Sequence, residues 1–316
     1  MLKYLIVQLD DAAPSFCHYP SSDFGSSLMD IEVLRDALRW SMKENLTVQF
    51  IYPDYKLPED YLVLIDSVYH ADIVSSENSD EALRSEADVI ICDSWEALTA
   101  YPLQKKQAYV LRVRIDDFLK HSSLLKKVVP LVDRLNVVFT DVEKYDDSVN
   151  PRYAEVLKEI GHYIREEYKR NHAVQINLLT DRIFLDEMNN CNAGSESVTL
   201  CPDGNFYLCP AYNKDLTRTV GNMTEGLNIR NPQLLRINHA PICMKCDAWQ
   251  CRRCLWMNKM MTLEFNTPSH QQCVMAHIER NASKSLLDDL KTAGVLNTHK
   301  EISEIDYLDP FDKINI

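Results

Sequence analysis

Glycine is scarce in this chain: seven residues in 316, with none between Gly25 and Gly161. A glycine-rich loop of the kind that cradles phosphates is therefore missing from the first half. A basic excess is missing too. The chain carries 34 Lys and Arg against 47 Asp and Glu, a net charge of −13. That argues against nucleic acid as a partner, because neutralising phosphates takes clustered positive charge. No apolar run approaches the roughly 18 residues that a membrane span needs. The N-terminal stretch has one short apolar run, Tyr4–Val7, before Asp10 and Asp11, and does not read as a signal peptide. These absences predict a cytoplasmic chain with no membrane partner, in a compartment where thiols stay reduced. Ten cysteines are also too few for a disulfide scaffold, which takes roughly 8–10% of a short chain.

The first 185 residues alternate short β-branched runs with helical patterns. Strand-like runs are Tyr4–Leu9, Thr47–Tyr52, Asp72–Ser75, Val89–Cys92, Tyr109–Val113, Asn136–Thr140 and Val174–Leu178. Several are continuously apolar, as buried parallel strands are. Between them, Ile31, Leu34, Leu38 and Met42 share one helical face, and Tyr153, Val156, Leu157, Ile160 and Ile164 share another. Pro151 suits the first turn of that second helix, and Pro58 opens a third. Such repetition predicts an α/β fold with a parallel sheet, either open or curled into a partial barrel. The texture changes near Asp186: cysteine, asparagine and proline become frequent, and Gly194, Gly204, Gly221 and Gly226 crowd together. We expect three segments: a β/α domain over 1–185, a small cysteine-rich α+β domain over 186–281, and a tail over 282–316 with one helix, Leu286 to Ala293, ahead of an acidic end.

Eight of the ten cysteines fall in that second half: Cys191, Cys201, Cys209, Cys243, Cys246, Cys251, Cys254 and Cys273. Eight thiolates complete two four-thiolate centres, and clustered cysteines in a reducing compartment point to metal. Val198–Leu200 and Asn205–Leu208 read as strands joined by the turn Pro202-Asp203-Gly204, which is expected to bring Cys201 and Cys209 to one end of a hairpin. Cys243-x2-Cys246-x4-Cys251-x2-Cys254, with Cys273 further on, is the close spacing that wraps a compact cluster. Two tetrahedral zinc sites would use the same ligands. A simple zinc ribbon fits poorly, because only four residues separate Cys246 from Cys251, against roughly 15–20 in the usual pattern.

The segment Cys191–Cys273 resembles a SPASM domain, the C-terminal module of radical-SAM peptide-modifying enzymes. Cys191, Gly204 and Cys209 match its first signature, within the text CNAG, CPDGNFYLCP and GNM. The second signature, C-x2-C-x5-C-x3-C and a distant Cys, is met with two inner gaps each one residue short. The resemblance implies two auxiliary four-iron four-sulfur clusters with interleaved ligands. Cys191, Cys201, Cys209 and Cys254 would hold the first, and Cys243, Cys246, Cys251 and Cys273 the second. With all eight thiolates in use, neither cluster would keep an open position. Lys245, Arg252 and Arg253 are candidates to offset cluster charge.

SPASM domains usually follow a partial (β/α) barrel with CxxxCxxC after its first strand. Here that loop reads Asp10-Asp-Ala-Ala-Pro14-Ser-Phe-Cys17-His18, and only Cys17 remains of the triplet. The family's GGE segment is also absent; Ile51-Tyr-Pro-Asp-Tyr-Lys stands there. The whole chain is similar to the CXXX repeat peptide maturases, SPASM-containing relatives that lack the radical-SAM motif. YLIVQLDD, SFCHY and QFIYPDYKLPEDY add to that similarity. It implies a degenerate radical-SAM-like domain with no S-adenosylmethionine cleavage of its own. It further implies a Cys-rich, ribosomally made precursor peptide as partner, and a separate radical-SAM enzyme supplying the radical step. The class alternative is a non-redox binding protein with two structural zinc sites.

Other residues have plainer readings. Cys17 and His18 are adjacent, so in an extended segment they point apart, and Cys17 reads as a small buried hydrophobe. Cys92 reads as core, Asp10 and Asp11 as solvated loop acids, and His162 as a surface histidine. Trp249 and Trp256 either shield a cluster or fill a small core. No Ser/His/Asp set is evident, and no catalytic residue is assigned.

Overall fold

The computed structural model describes residues 2–21, 24–188 and 190–313. In chain order the elements are β1 (Tyr4–Gln8), α1 (Ile31–Glu44), β2 (Thr47–Ile51), α2 (Glu59–Ile65), β3 (His70–Ser75), α3 (Glu81–Glu86), β4 (Val89–Cys92), α4 (Trp95–Ala100), β5 (Ala108–Val113), α5 (Ile115–His121), α6 (Leu125–Val128), β6 (Arg134–Phe139), α7 (Asn150–Lys169), β7 (Gln175–Ile176) and α8 (Asn177–Phe184). They continue with β8 (Ser197–Leu200), β9 (Asn205–Tyr207), β10 (Thr219–Asn222), β11 (Gly226–Leu227), α9 (Leu255–Thr262) and α10 (His270–Thr292). The expected α/β class with a mostly parallel sheet is observed. Among the described residues no helix is long and apolar enough to cross a membrane.

Two compact units each draw on both halves of the sequence: Met1–Ile91 with Cys191–Ala240, and Cys92–Asn190 with Pro241–Ile316. In the first unit the strand order is β11-β10-β9-β8-β1-β2-β3-β4. β1 lies between β2 and β8 and is parallel to both, while β8, β9, β10 and β11 run antiparallel to one another. Side chains alternate across a strand. Leu5 and Val7 of β1 therefore face the layer holding α1, whose Trp40 ring packs on Phe206 of β9 at 5.0 Å. Ile6 faces the other way and joins Ile51, Ile73 and Ile91 in a second apolar cluster. The loop after β1 folds over that cluster, contributing Ala13 and Phe16.

α1 starts at Asp30, whose carboxylate accepts the Glu32 amide, and stops at Asn45 in the left-handed region, φ 54°. Its buried stripe is Leu34, Ala37, Leu38 and Ser41, and Met42 is 60% exposed rather than buried. Eight residues beyond Leu34, Met42 has rotated roughly 80° off the stripe at about 100° per residue.

The second unit holds β5-β6-β7, all parallel. α7 buries all five residues of its expected face, with Pro151 in its first turn. The last strand is shorter than its sequence suggests, and the chain turns helical at Asn177. The Asn177 side chain takes over the ladder: its Oδ1 accepts the Val137 amide at 2.7 Å and its Nδ2 donates to the Val137 carbonyl at 3.0 Å. That frees the backbone to enter α8. The expected tail helix is the end of a longer one. α10 begins at a capping box, where Ser269 and Gln272 exchange bonds, and runs unbroken to Thr292 before Gly294 at φ 70°.

Candidate functional site

The exits of β1 and β8 form the first cluster of chemistry. The two strands are parallel and in register from Tyr4 opposite Ser197 to Val7 opposite Leu200. Gln8 and Cys201 therefore leave side by side, with the Cys201 thiol 3.9 Å from Gln8 Oε1. Asp10 and Asp11 are not solvated acids; they are 0% and 2% exposed. Asp10 accepts from the Ala12 amide at 2.7 Å, Ser26 Oγ at 2.8 Å and Tyr55 Oη at 2.7 Å. Asp11 accepts from Asn213 Nδ2 at 2.9 Å and pairs with Lys214 Nζ at 2.7 Å. These partners offset the cost of burying two carboxylates.

The turn after β8 follows its residues. The Gly204 amide donates to the Cys201 carbonyl at 3.0 Å, Gly204 sits at φ 77°, and Asp203 Oδ1 accepts the Asn205 amide at 3.0 Å. A positive φ costs glycine nothing. The ladder pairs Thr199 with Tyr207 and Leu200 with Phe206. Cys201 therefore stands at the turn and Cys209 beyond the open end, not both at one end as the spacing suggests. Cys191 is fixed near that open end by Ser197 Oγ, which donates to its carbonyl at 2.7 Å. The thiols still sense one another. Burial pushes Cys201 well up, and Asp203, Asp11 and Cys209 push it further. Burial also raises Cys209, reinforced by Cys191 and Cys17 and opposed by the Ala211 amide. Cys17 is thus a neighbour of this group rather than an isolated core residue. His18 beside it is buried, and Cys92, in the other unit, is fully buried core.

In the second unit, Cys243, Cys246, Cys251 and Cys273 form a mutual group. Burial raises Cys251, and Cys243, Cys246 and Cys273 each add to it, with Glu279 behind them. Cys273 rises through burial, Asp309, Cys243 and Cys246. Burial lifts Cys246 to about 11, with Cys243 and Asp247 adding and the Ala248 amide and Arg280 opposing. Arg253 is buried and lies against Cys243, whose rise by burial it limits; Lys245 is exposed and Arg252 half-buried. Cys254 caps α9, its sulfur accepting the Met257 amide at 3.5 Å. The loop carrying Cys246 is clamped by Asp247. Its Oδ1 and Oδ2 take both arms of Arg280 at 2.6 and 2.7 Å, and Oδ2 also takes Arg182 at 2.9 Å. The Arg182 guanidinium in turn lies 4.1 Å above the Trp249 ring. Trp249 thus packs a buried ion network, whereas Trp256 is half-buried on α9.

Two groups have no counterpart among the expected site residues. His277 is buried on α10, with Nδ1 on the Cys273 carbonyl at 2.8 Å and Nε2 3.6 Å from the Cys246 sulfur. With Nδ1–H donated to the carbonyl, Nε2 is left as the acceptor facing the thiol; burial lowers the ring's basicity. The Cys273-x3-His277 spacing on one helix was the available signal. Glu279 is buried against Tyr153 Oη, which donates at 2.6 Å, and burial lifts it to about 7. His162 is exposed, as expected.

Within each unit a group of thiols, buried apart from the exposed Cys191 and the half-open Cys209, Cys246 and Cys251, raises the pKa of its own members, and soft thiol donors of this kind suit metal centres. Among the described residues no three His, Cys, Asp or Glu side chains already stand in metal-binding geometry. The fit therefore lies in donor type and grouping.

No protein-family model and no curated protein matches the sequence. Solved structures do. Native anSMEcpe with bound AdoMet and Cp18Cys peptide aligns at TM-score 0.59 and 13% identity, over 94% of this chain and 100% of that one. The same protein with AdoMet and Kp18Cys peptide gives 0.58 at 13%, over 93% and 100%. The hexahistidine-tagged form with AdoMet gives 0.56 at 14%, over 91% and 98%. The α/β fold of this chain is thus shared with anSMEcpe along nearly its whole length.

Proposed function

We propose that this chain is a maturation factor for a ribosomally made, Cys-rich peptide of the CXXX repeat kind. On this reading its cysteine-rich segment, 186–281, carries two thiolate-bound metal centres. The observation that carries it is the pair of thiol groups, Cys201 and Cys209 with the exposed Cys191 in one compact unit and Cys243, Cys246, Cys251 and Cys273 in the other, on a fold shared with a protein that has a structure with bound peptide. The resemblance to SPASM domains assigns Cys191, Cys201, Cys209 and Cys254 to one centre and Cys243, Cys246, Cys251 and Cys273 to the other. Four-iron four-sulfur clusters in these places would supply one-electron transfer or a docking point for peptide; two structural zinc ions are the alternative.

The chain's own residues favour a role beside a radical-SAM enzyme. At the exit of β1, Asp10 is held by three donors, and Ala13 and Phe16 lie on the isoleucine cluster beneath the loop. This loop offers one thiol, Cys17, where three would be needed to hold a cleaving cluster. Asp247, Arg182 and Arg280 fix the Cys246 loop, and Arg253 sets a positive charge against Cys243.

The test is anaerobic purification followed by iron, sulfide and zinc analysis with a visible spectrum. Roughly eight irons per chain and a broad charge-transfer band are expected for two four-iron clusters. About two zinc ions and no band would replace the redox reading with the structural one. Reductive cleavage of S-adenosylmethionine by the isolated chain would overturn the assignment of radical chemistry to a second protein. Retention of a synthetic peptide with cysteine at every fourth position is expected; its absence would count against the peptide partner.

A further inference from the structure

We propose that residues 300–309 form a releasable strap over the Cys246–His277 edge of the second cysteine group, latched at His270, and that the strap lifts to let a soft metal ion reach or leave the Cys246 sulfur. The metal part rests on the proposed reading that this group binds metal; the strap itself stands on contacts within one compact unit. After Gly294 the chain turns back along α10. Lys291 Nζ donates to the Lys300 carbonyl at 2.6 Å, and Arg280 Nη2 donates to Ser303 Oγ at 3.3 Å. Further on, the Tyr307 ring lies 5.4 Å from the His277 ring, and His270 Nδ1 donates to Asp309 Oδ2 at 2.6 Å. Lys291 to His270 spans roughly 31 Å at about 1.5 Å per helical residue, and Lys300 to Asp309 spans roughly 30 Å at about 3.3 Å per extended residue. The segment therefore reaches both ends of the helix only when extended, and its far end is held at His270. That ring faces two carboxylates, so it is held as the imidazolium, and its Nε2 donates to Asp147 Oδ2 at 2.9 Å. Asp309 is 4% exposed, and a carboxylate buried to that degree needs a partner. Residues 295–309 lie outside every helix and strand. Side chains rather than a backbone ladder thus hold the strap, and such a segment opens without unfolding the rest. Lifting it takes Tyr307 off His277, whose Nε2 stands 3.6 Å from the half-buried Cys246 sulfur. On binding, the Cys246 thiol gives its proton to solvent and a sulfur lone pair to the metal.

The experiment compares the full-length chain with His270→Ala and Tyr307→Ala, all purified anaerobically. Two rates are read in excess EDTA: loss of bound metal, and labelling of Cys246 by a timed pulse of iodoacetamide, measured by peptide mass spectrometry. Cys201, fully buried in the other unit, reports global unfolding by becoming labelled. In both variants one centre is expected to lose metal, and Cys246 to label, about tenfold faster than in the wild type, as opening that is about 1.4 kcal/mol easier would give; Cys201 stays unlabelled. Rates within about twofold of wild type in either folded variant, no more than an exposed contact would give, overturn the proposal. Faster labelling without faster metal loss overturns the gating of metal. If His270→Ala exposes Cys201, Tyr307→Ala decides alone. A wild-type chain that binds no metal refutes the underlying reading instead, and labelling at Cys246 still decides the strap.

Discussion

Asp247 is the residue on which the second cysteine loop depends most. It lies directly after Cys246, and its carboxylate is shared by Arg280, which is 0% exposed, and by buried Arg182. Asp247→Asn keeps the shape but removes the charge, leaving two buried guanidinium groups facing a neutral amide. Breaking one side of a buried pair costs about 3–5 kcal/mol, and Asp247 itself is partly open to water, so about 3 kcal/mol is expected. The loss should appear locally, because the Ala248 amide points at the Cys246 sulfur at 3.4 Å and the Cys251 amide donates to the Ala248 carbonyl at 2.9 Å. Hydrogen exchange at the Cys246 and Cys251 amides is the assay. A drop of about 3 kcal/mol in opening free energy corresponds to exchange roughly 100-fold faster. Arg280→Met leaves Asp247 its bond to Arg182, so its effect should be smaller. Burial would raise the Asp247 carboxyl, but Arg280 and Arg182 outweigh it and hold it below the ordinary range. The stabilisation is therefore present above the unfolded carboxylate pKa and is lost as pH falls through the depressed folded value. Exchange in Asp247→Asn within about threefold of wild type, far less than a broken buried pair implies, would refute the clamp.

Two further outcomes are expected. Burial raises Glu279 from an ordinary 4.5 to about 7, so the folded chain holds a proton that the unfolded chain releases. Stability then falls as pH rises across that window, by on the order of 3 kcal/mol, and levels off above it. Urea midpoints of chain prepared without metal should show this slope, and Glu279→Gln should flatten it; an equal slope in both would exclude Glu279 as its source. Gly194 and Gly204 share φ 77°, but a Cβ on Gly194 would stand 2.5 Å from Leu235 and 2.6 Å from Leu208, whereas one on Gly204 would meet only Val33 at 4.0 Å. Gly204→Ala should cost about 1 kcal/mol of backbone strain and Gly194→Ala roughly twice that; equal urea midpoints would contradict the steric difference.

Strands β1 to β6 were legible because each is a compact β-branched run that packs on both faces, so local composition and burial agree. α7 was legible for the same reason, its apolar spacing being its buried face. β7 was not, because its ladder is finished by the Asn177 side chain, which no periodicity records. α10 was read short, since its first half mixes Cys273, His277, Glu279 and Arg280 into a buried face that composition alone marks as polar. The spacing of the eight cysteines made two groups of thiols an expectation, but not which other side chains stand among them. The burial of Asp10 and Asp11 depends on Tyr55 and Asn213, which are 45 and 202 positions away in sequence, and on Lys214 beside the latter. Gln8 likewise meets Cys201 across 193 positions, and only the pairing of β1 with β8 brings them together.

That pairing also changes what the cysteine-rich segment is. β8 adds to the sheet as the parallel neighbour of β1, and Leu5, Val7, Val198 and Leu200 along the seam are fully buried. Until the chain has passed residue 200, one edge of β1 has no partner for its amides and carbonyls, a cost no buried strand carries in the finished fold. Cys191 and Cys201 bracket β8, so on the proposed reading the thiols that close around the first metal and the strand that completes the sheet are positioned by one event. Metal binding and folding are then a single equilibrium for this unit. The second group follows the same logic by a different route: Cys273 and His277 rise from α10, the helix that packs on α7 and α8. Each centre is thus tied to the core of the unit that carries it, and loss of metal should register in the sheet and in α10 as well as in the loops that hold the sulfurs.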